Sequence, residues 1–508
     1  MNSNISIIFN WNNENPDFVK TLNSIENQTY KDYEIIALSD KVIAGGKIRI
    51  VNTLEKSYAR SLNEAVKIAE GEFILLIDNK ESTVSLKHAA LEAFLIAAER
   101  NPSSGLFYTD YELLTGNTII EKKLLFHHIG RVRDNQDYGK VYFIRKEALL
   151  SIGGFDENVK YNTFYDMRLK ISEHFTLTRI SNKFSGSFYS VKASDKKANV
   201  FDYLLAGKDI QIEAENILTR HLQRIGACMK PFQLMPVDYK VEDDNELKAS
   251  IIIPVGFRPE FIGTAVESIQ AQTVQDIEAI IVVNGGEIDP TAEVVREYMN
   301  GGNKYNPQKP EIRLIVVDIN NIGLCLNIGA NNARGKYYVQ LDSDDRLKPD
   351  AVEKILKVYD SDPGIGMVIG SYEVWEKKDD GSFKRLEEIP VVTHDEWTDE
   401  NGRNNLLRIN GAGAPRSLPI EVIKQMGYFS VNDDEFARNY GEDYEMVLKV
   451  SEYYRIGRVW DPIYEVVRHS GGTDHSISED LIMRNDEAKD DIRKHAIMRR
   501  MAYNSIKN

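Results

Sequence analysis

The 508-residue chain, 42% apolar and 28% charged, is too long for one ordinary domain and apolar enough for two or three cores. Its formal charge of −15 excludes nucleic acid as the main partner, because a phosphate backbone needs a net basic face. Acidity leaves room for a nucleotide-bound substrate, since a divalent metal bridges carboxylates to a pyrophosphate.

Met1–Asn10 has no basic flank and no long apolar core, so it reads as a first strand and not as a signal peptide. No apolar run reaches the roughly 20 residues that cross a bilayer. The only cysteines are Cys228 and Cys325; they could pair, but reduced thiols suit the cytoplasmic location these features predict.

The first strand opens a duplication. Ser6-Ile7-Ile8-Phe9 returns as Ser250-Ile251-Ile252-Ile253, and Ser24-Ile25-Glu26-Asn27-Gln28-Thr29 as Ser268-Ile269-Gln270-Ala271-Gln272-Thr273. Asp32 and Glu34 match Asp276 and Glu278 at the same spacing. After a longer insertion in the second copy, Leu62-Asn63 and Gly71 match Leu326-Asn327 and Gly335. Leu169–Glu173 then matches Leu448–Glu452. Ordered matches of this kind mark an internal repeat.

Between the copies, residues 191–246 read as a junction. Asp209–Ile225 has helical apolar spacing, and Glu242-Asp243-Asp244-Asn245 is a polar connector. The second copy runs through a strand at Ser250–Val255, a helix at Glu260–Gln270 and a strand at Ile277–Val283 that ends in Asn284-Gly285-Gly286. Strands alternating with helices imply a parallel sheet covered on both faces, with ligands at the carboxyl ends of its strands. The expected class is α/β, with domains at 1–190, 247–475 and a helical tail at 476–508.

Tyr337–Leu341 reads as a buried strand running into Asp342-Ser343-Asp344-Asp345. Three carboxylates in four residues repel one another, so the cluster either meets a cation or faces open water. At a strand end it suits a hard divalent ion shared with a diphosphate. It would serve equally as an acidic turn or cap before the helix that Lys348-Pro349-Asp350 starts. Further on, Gly441-Glu442-Asp443-Tyr444-Glu445 precedes the apolar positions of another helix, where acids also suit the dipole.

As an ordered set, Ser250–Pro254, Gln272-Thr273, Asn321-x-Gly323, Asn327-x-Gly329, Ala333-x-Gly335 and Leu341–Asp345 resemble the signature of family 2 glycosyltransferases, over Ala249 to about Gly472. The resemblance implies tandem GT-A (nucleotide-diphospho-sugar transferase, Rossmann-like) domains. It implies a nucleotide sugar donor, UDP-linked, bordered by Pro254, Val255 and Asn284. Asn284 stands where the family usually has Asp, and it still offers hydrogen bonds to a pyrimidine edge. It implies that Asp342, Ser343 and Asp344 meet the donor, and that Asp342 and Asp344 hold Mn²⁺ or Mg²⁺. His469 is either a further metal or diphosphate contact or an ordinary loop histidine. Asp443 takes the family's place of general base, with Glu442 beside it to orient the acceptor. Trp375, Trp397 and Arg416 lie in the stretch expected to shape the acceptor pocket, though an aromatic there also suits a core.

In the first copy Asp78-Asn79-Lys80-Glu81 stands at the place of Asp342–Asp345, and Thr163-Phe164 at that of Glu442-Asp443. Lys80 would repel the cation that the other copy attracts. Asp40 stands opposite Asn284, Asp166 remains at the place of Glu445, and Gly153-Gly154-Phe155-Asp156 looks like the family's acceptor-side loop. The first domain is therefore expected to be a scaffold or acceptor-binding module. The rival is a second, metal-independent transferase in which Lys80 or a nearby basic residue takes over the metal's work. Asp486–Lys507 reads as a helix whose basic residues suit peripheral contact with an anionic membrane; its acids favour packing on its own domain or a homo-oligomer contact.

The leading expectation is inverting sugar transfer to a glycan, glycoprotein or lipid-linked acceptor. Two alternatives stand beside it: a bifunctional polysaccharide polymerase with both domains active, and a non-catalytic glycan-binding assembly protein.

Overall fold

A computed structural model describes residues 4–11, 16–41, 48–116, 118–181, 187–192, 207–239, 247–378, 380–393, 402–409, 411, 413–433, 440–469 and 479–507. Trp397, the Glu242–Asn245 connector and Ser470–Gly472 lie outside the described residues. The chain divides into two compact units, Met1–Ile225 and Gly226–Asn508. No helix among the described residues is long and apolar enough to cross a membrane.

In the first unit the strands are β1 (Ile5–Asn10), β2 (Tyr33–Ser39), β3 (Ile48–Asn52), β4 (Phe73–Ile77), β5 (Thr83–Leu86), β6 (Ser104–Thr109), β7 (Tyr111–Thr115), β8 (Thr118–Lys122), β9 (Val141–Arg145), β10 (Thr176–Ile180) and β11 (Tyr189–Lys192). They form a main sheet in the order β10-β6-β9-β4-β1-β2-β3 and a small sheet β5-β11-β7-β8. In the second unit they are β12 (Leu247–Val255), β13 (Ile277–Val283), β14 (Glu311–Val316), β15 (Gly335–Gln340), β16 (Arg346–Leu347), β17 (Ile365–Lys377), β18 (Phe383–Arg385), β19 (Arg416–Pro419) and β20 (Arg455–Arg468). Their order is β14-β13-β12-β15-β19-β17-β20-β16, with β18 paired to β17.

Read from β3 and from β14, the two main sheets have the same order. In both, the strand after the acidic turn's strand runs antiparallel to it: β9 to β4, and β19 to β15. The residues repeated in sequence form a repeated hydrogen-bonded frame. Ser6 Oγ donates to Glu34 (2.6 Å) and accepts from Gly71 N (2.9 Å); Ser250 Oγ donates to Glu278 (2.7 Å) and accepts from Gly335 N (2.9 Å). Arg49 and Arg313 pair with those two glutamates. Asn63 exchanges two bonds with the backbone of Phe155, as Asn327 does with Phe429. Each contact satisfies a buried or half-buried polar group, which is why the same residues recur. Gly71 and Gly335 sit so close to β1 and β12 that a Cβ would lie 2.6 Å from Ser6 N or Ser250 N.

Alternation along the strands sends side chains to the two faces of each sheet. Ile7 and Phe9 join one cluster of the first unit and Ile8 another, while Ile251, Ile253 and Val255 build the large cluster of the second. On the opposite face of β12, Ile252 packs against Gly329 of the helix Ile322–Asn332, where a Cβ would meet its Cγ2 at 2.3 Å.

The residues assigned from sequence to a junction divide. The helix Lys208–Arg224 belongs to the first unit, where Glu173, which caps the helix Thr163–Ser172, meets His221 (2.7 Å) and Arg224 (2.8 Å). In the second unit the C-terminal helix Glu479–Lys507 meets the helix Glu442–Tyr453 in the corresponding way, with Arg499 on Glu452 at 2.9 Å. Glu173 and Glu452 are repeat partners, so the duplication extends to a closing helix in each unit.

Candidate functional site

In the second unit β12, β13 and β15 are parallel neighbours, and the residues singled out in sequence gather at their carboxyl ends. Pro254 and Val255 end β12. Asn284 follows β13, donating its backbone N–H to Val255 O (2.8 Å) and its side-chain amide to Asn320 (3.4 Å). Its Oδ1 would lie 2.2 Å from a Cβ at position 256, so only Gly256 allows this side chain to lie there.

The acidic turn leaves β15 with its members facing different ways. Asp345 turns inward and accepts the N–H of Val467 on β20 (2.7 Å). Burial pushes its carboxyl well above the usual range, and the charges of Asp342 and Asp344 add to the effect. Asp345 is therefore a brace between the turn and β20. Asp342 is held by Tyr464, whose hydroxyl accepts its backbone N–H (3.0 Å), and by the Gln340 amide (3.2 Å). Burial raises its carboxyl too, against the pull of Arg416. Ser343 is buried between them. Asp344 is more open and lies 3.0 Å from His469 Nε2. The His469 ring packs on Phe261 (centroids 4.2 Å apart), and Lys377 sits 4.0 Å over the Phe261 ring.

Arg416 opens β19, beside β15, and pairs with Asp443 in the first turn of the helix Glu442–Tyr453 (3.1 Å) while donating to Gly413 O (2.9 Å). The Asp342 charge also acts on the guanidinium, which links the acidic turn electrostatically to the acid pair. Burial works to raise Asp443, but Arg416, then Lys489 and the Tyr444 N–H, outweigh it and hold the carboxyl below the usual range. Burial, then the neighbouring Asp443 charge, raises Glu442 to about 7. One carboxylate kept ionised beside one that holds its proton is a pairing suited to proton transfer.

Asp342, Asp344, His469, Arg416, Glu442 and Asp443 thus occupy one region at the mouth of the sheet. Trp375 lies on β17, in register with Val467 of β20, with Arg346 between it and Phe383 (5.3 and 4.0 Å to the ring centroids) and Arg346 paired to Glu465 at 2.6 Å. Tyr464, Phe261, Lys377 and Lys489 also serve the region and were not singled out in sequence. Tyr464, Phe261 and Lys377 lie within a few residues of His469, Val255 and Trp375 along the chain, yet no local pattern marks them, and only the fold brings them to one another.

Among the described residues no group of three or more His, Cys, Asp or Glu side chains is gathered as a metal cage. The Asp344–His469 pair, with Asp342 near it, is a donor set of carboxylate oxygen and imidazole nitrogen. Such a set leaves coordination positions for water and diphosphate oxygens, which fits an ion shared with substrate.

The first unit places other chemistry at the same points. By strand register and the repeat, Tyr142 takes the position of Arg416 and Phe164 that of Asp443. Their rings pack with centroids 5.3 Å apart, so an aromatic pair stands where the second unit has an ion pair. Asp78, at the place of Asp342, is neutralised by Lys140 (2.8 Å), and Lys80 lies 5.4 Å over Tyr58. Asp166 pairs with Lys170 at 2.6 Å.

A model of glycosyl transferase family 2 matches residues 250–415. A chondroitin synthase of Pasteurella multocida (strain Pm70) is 36% identical over 224 residues, 44% of this chain and 21% of that protein. The O-antigen biosynthesis protein RfbC of Myxococcus xanthus is 25% identical over 473 residues, 85% of this chain and 34% of that protein. The chain therefore spans about a fifth to a third of these curated relatives. Among solved structures, S. aureus TarS 1-349 in complex with UDP-GlcNAc is similar with a TM-score of 0.36 and 17% identity, over 47% of this chain and 64% of that one.

Proposed function

We propose that the second unit, a family 2 glycosyltransferase domain, moves a sugar with inversion from a nucleotide sugar, UDP-linked, to a glycan, glycoprotein or lipid-linked acceptor. One observation carries the reading: Arg416 pairs with Asp443 at 3.1 Å and also feels the charge of Asp342, so donor-side and acceptor-side carboxylates act on one guanidinium.

In this reading Pro254, Val255 and Asn284 border the base, and Asp342 and Ser343 meet the ribose and diphosphate. Asp344 and His469, with Asp342, would hold a divalent ion that neutralises charge on the leaving nucleoside diphosphate. The imidazole donor favours Mn²⁺ over Mg²⁺. Asp443 accepts the proton of the acceptor hydroxyl as that oxygen attacks the anomeric carbon. Arg416 keeps Asp443 ionised beforehand and faces it as it is neutralised. Glu442, raised to about 7 and so still partly protonated at neutral pH, donates a hydrogen bond that orients the acceptor. The first unit acts as a scaffold or acceptor-binding module, since its aromatic pair supplies no base. The enzyme works in the cytoplasm, at most peripheral to a membrane.

The test is a screen of nucleotide sugars with Mn²⁺, reading released nucleoside diphosphate in the presence of candidate acceptors. Asp344→Ala and Asp443→Asn should each lower turnover by about 10²-fold or more while remaining folded. Full turnover in either purified variant refutes the assignment.

A further inference from the structure

The C-terminal helix Glu479–Lys507 is fastened to the second unit by side chains that few surface helices bury. Arg493, fully buried, donates to Leu407 O (2.9 Å), Ile409 O (2.9 Å) and Asp490 (2.7 Å). Arg500, also fully buried, donates to the Ser451 hydroxyl (2.9 Å) and Arg403 O (3.2 Å). Burying two guanidinium groups with these partners fixes the helix in rotation and register, because any slip would strand a charge.

That register sets Ile492 and Lys489 against the start of the helix Glu442–Tyr453. Gly441 adopts φ 90°, and a Cβ there would lie 2.8 Å from Ile492 Cδ1 and 4.0 Å from Lys489 Cγ. The backbone angle favours glycine, and the approach shows how closely the two helices meet there. The Lys489 ammonium lies 5.0 Å from the Tyr440 ring centroid and 5.9 Å from that of Tyr444. Tyr440 and Tyr444 flank the acid pair along the chain, so the ammonium lies beside the helix start that carries Glu442-Asp443, close enough for its charge to act on Asp443.

We propose that the C-terminal helix completes the active site by supplying Lys489 as a positioning cation for the Glu442–Asp443 pair. The inference rests on Asp443 being the base. Among the described residues, the other groups around Asp443 are Arg416 from β19, Asp342 from the turn after β15, Tyr338 from β15, and Glu442 and Tyr444 on its own helix. Arg416 is the one further cation among these, and Asp342 competes for it. Lys489 therefore supplies the positive charge that the acidic turn does not share, and it lowers the Asp443 carboxyl in the same sense as Arg416.

The experiment compares kcat/KM against pH for the full-length wild type, Lys489→Met and Lys489→Arg, with thermal midpoints measured alongside. Removing the cation raises the base's pKa, so the acid limb moves to higher pH. The ratio of Lys489→Met to wild type should fall by about twofold between pH 8 and pH 4. Lys489→Arg should follow the wild type. A purely structural role would lower activity equally at all pH values, and profiles that superimpose after scaling overturn the proposal. Should Lys489→Met lower the midpoint sharply, Lys489→Gln carries the same comparison. A fully active Asp443→Asn would instead overturn the base assignment, whereas an inert Asp443→Asn with superimposable Lys489 profiles removes only the role of Lys489.

Discussion

Replacing Arg416 by Met removes the cation that joins the two halves of the site while keeping much of its bulk. Unit charges 3.1 Å apart attract by about 5 kcal/mol at an effective dielectric of ~20. The side chains are 15% and 28% exposed, and the desolvation that Arg416 no longer undergoes offsets part of the loss. We therefore expect a net cost of about 2 kcal/mol at pH 7.5. The sign with pH follows from Asp443. In the wild type its carboxyl is held below the unfolded value, so the pair stabilises above about pH 4 and is lost as pH falls through the lower folded value. In Arg416→Met burial instead raises the carboxyl, so its charge opposes folding at pH 7.5 and protonation relieves it as pH falls. The gap between the two proteins should shrink toward pH 4.5. Urea unfolding followed by tryptophan fluorescence measures it, since Trp375, Trp397 and Trp460 lie in the second unit and only Trp11 in the first. A double-mutant cycle with Asp443→Asn should return a coupling of about 2 kcal/mol. A coupling below about 0.3 kcal/mol, or a gap that is the same at both pH values, refutes the reasoning.

Two further predictions concern the acid pair and the frame. Glu442 is raised to about 7, so its contribution is fully present below the unfolded value of about 4.3 and is lost as pH rises through 7. Glu442→Gln should flatten the decline in stability between pH 5 and 8 and be the more stable protein at pH 8.5; an unchanged slope in urea midpoints counts against this. Gly335→Ala would drive a Cβ to 2.3 Å from Ala249 C and 2.6 Å from Ser250 N, and Gly71→Ala would do the same against Ile5 and Ser6. Because the obstacle is backbone, each should cost about 3 kcal/mol or more, with hydrogen exchange rising in the unit that carries the change. Protection equal to wild type would show that the strands yield easily.

The sequence by itself determined the duplication, because the repeated residues are those whose polar groups must be satisfied inside each sheet. Ser6 and Ser250, Gln28 and Gln272, and Asn63 and Asn327 recur with their partners for that reason. It also showed where the first copy lost its carboxylates, since Lys80 and Phe164 are single letters at readable positions. The acidic turn was legible as a cluster, but not the division of labour within it. Asp345 faces inward and Asp344 outward only because Val467 offers its N–H and His469 its ring from 122 and 125 residues away.

The tertiary structure alone decided which distant charges meet. The Arg416–Asp443 pair follows from antiparallel pairing of β19 with β15, and its replacement by Tyr142 and Phe164 appears only when the two registers are compared. The closing helices looked like a junction and a tail because their apolar spacing names no partner. Arg499 on Glu452 and Arg224 on Glu173 place them on corresponding helices of the two units. Local patterns report what a segment must bury; which charge comes to lie against which depends on strand order, and strand order is settled only when the whole sheet closes.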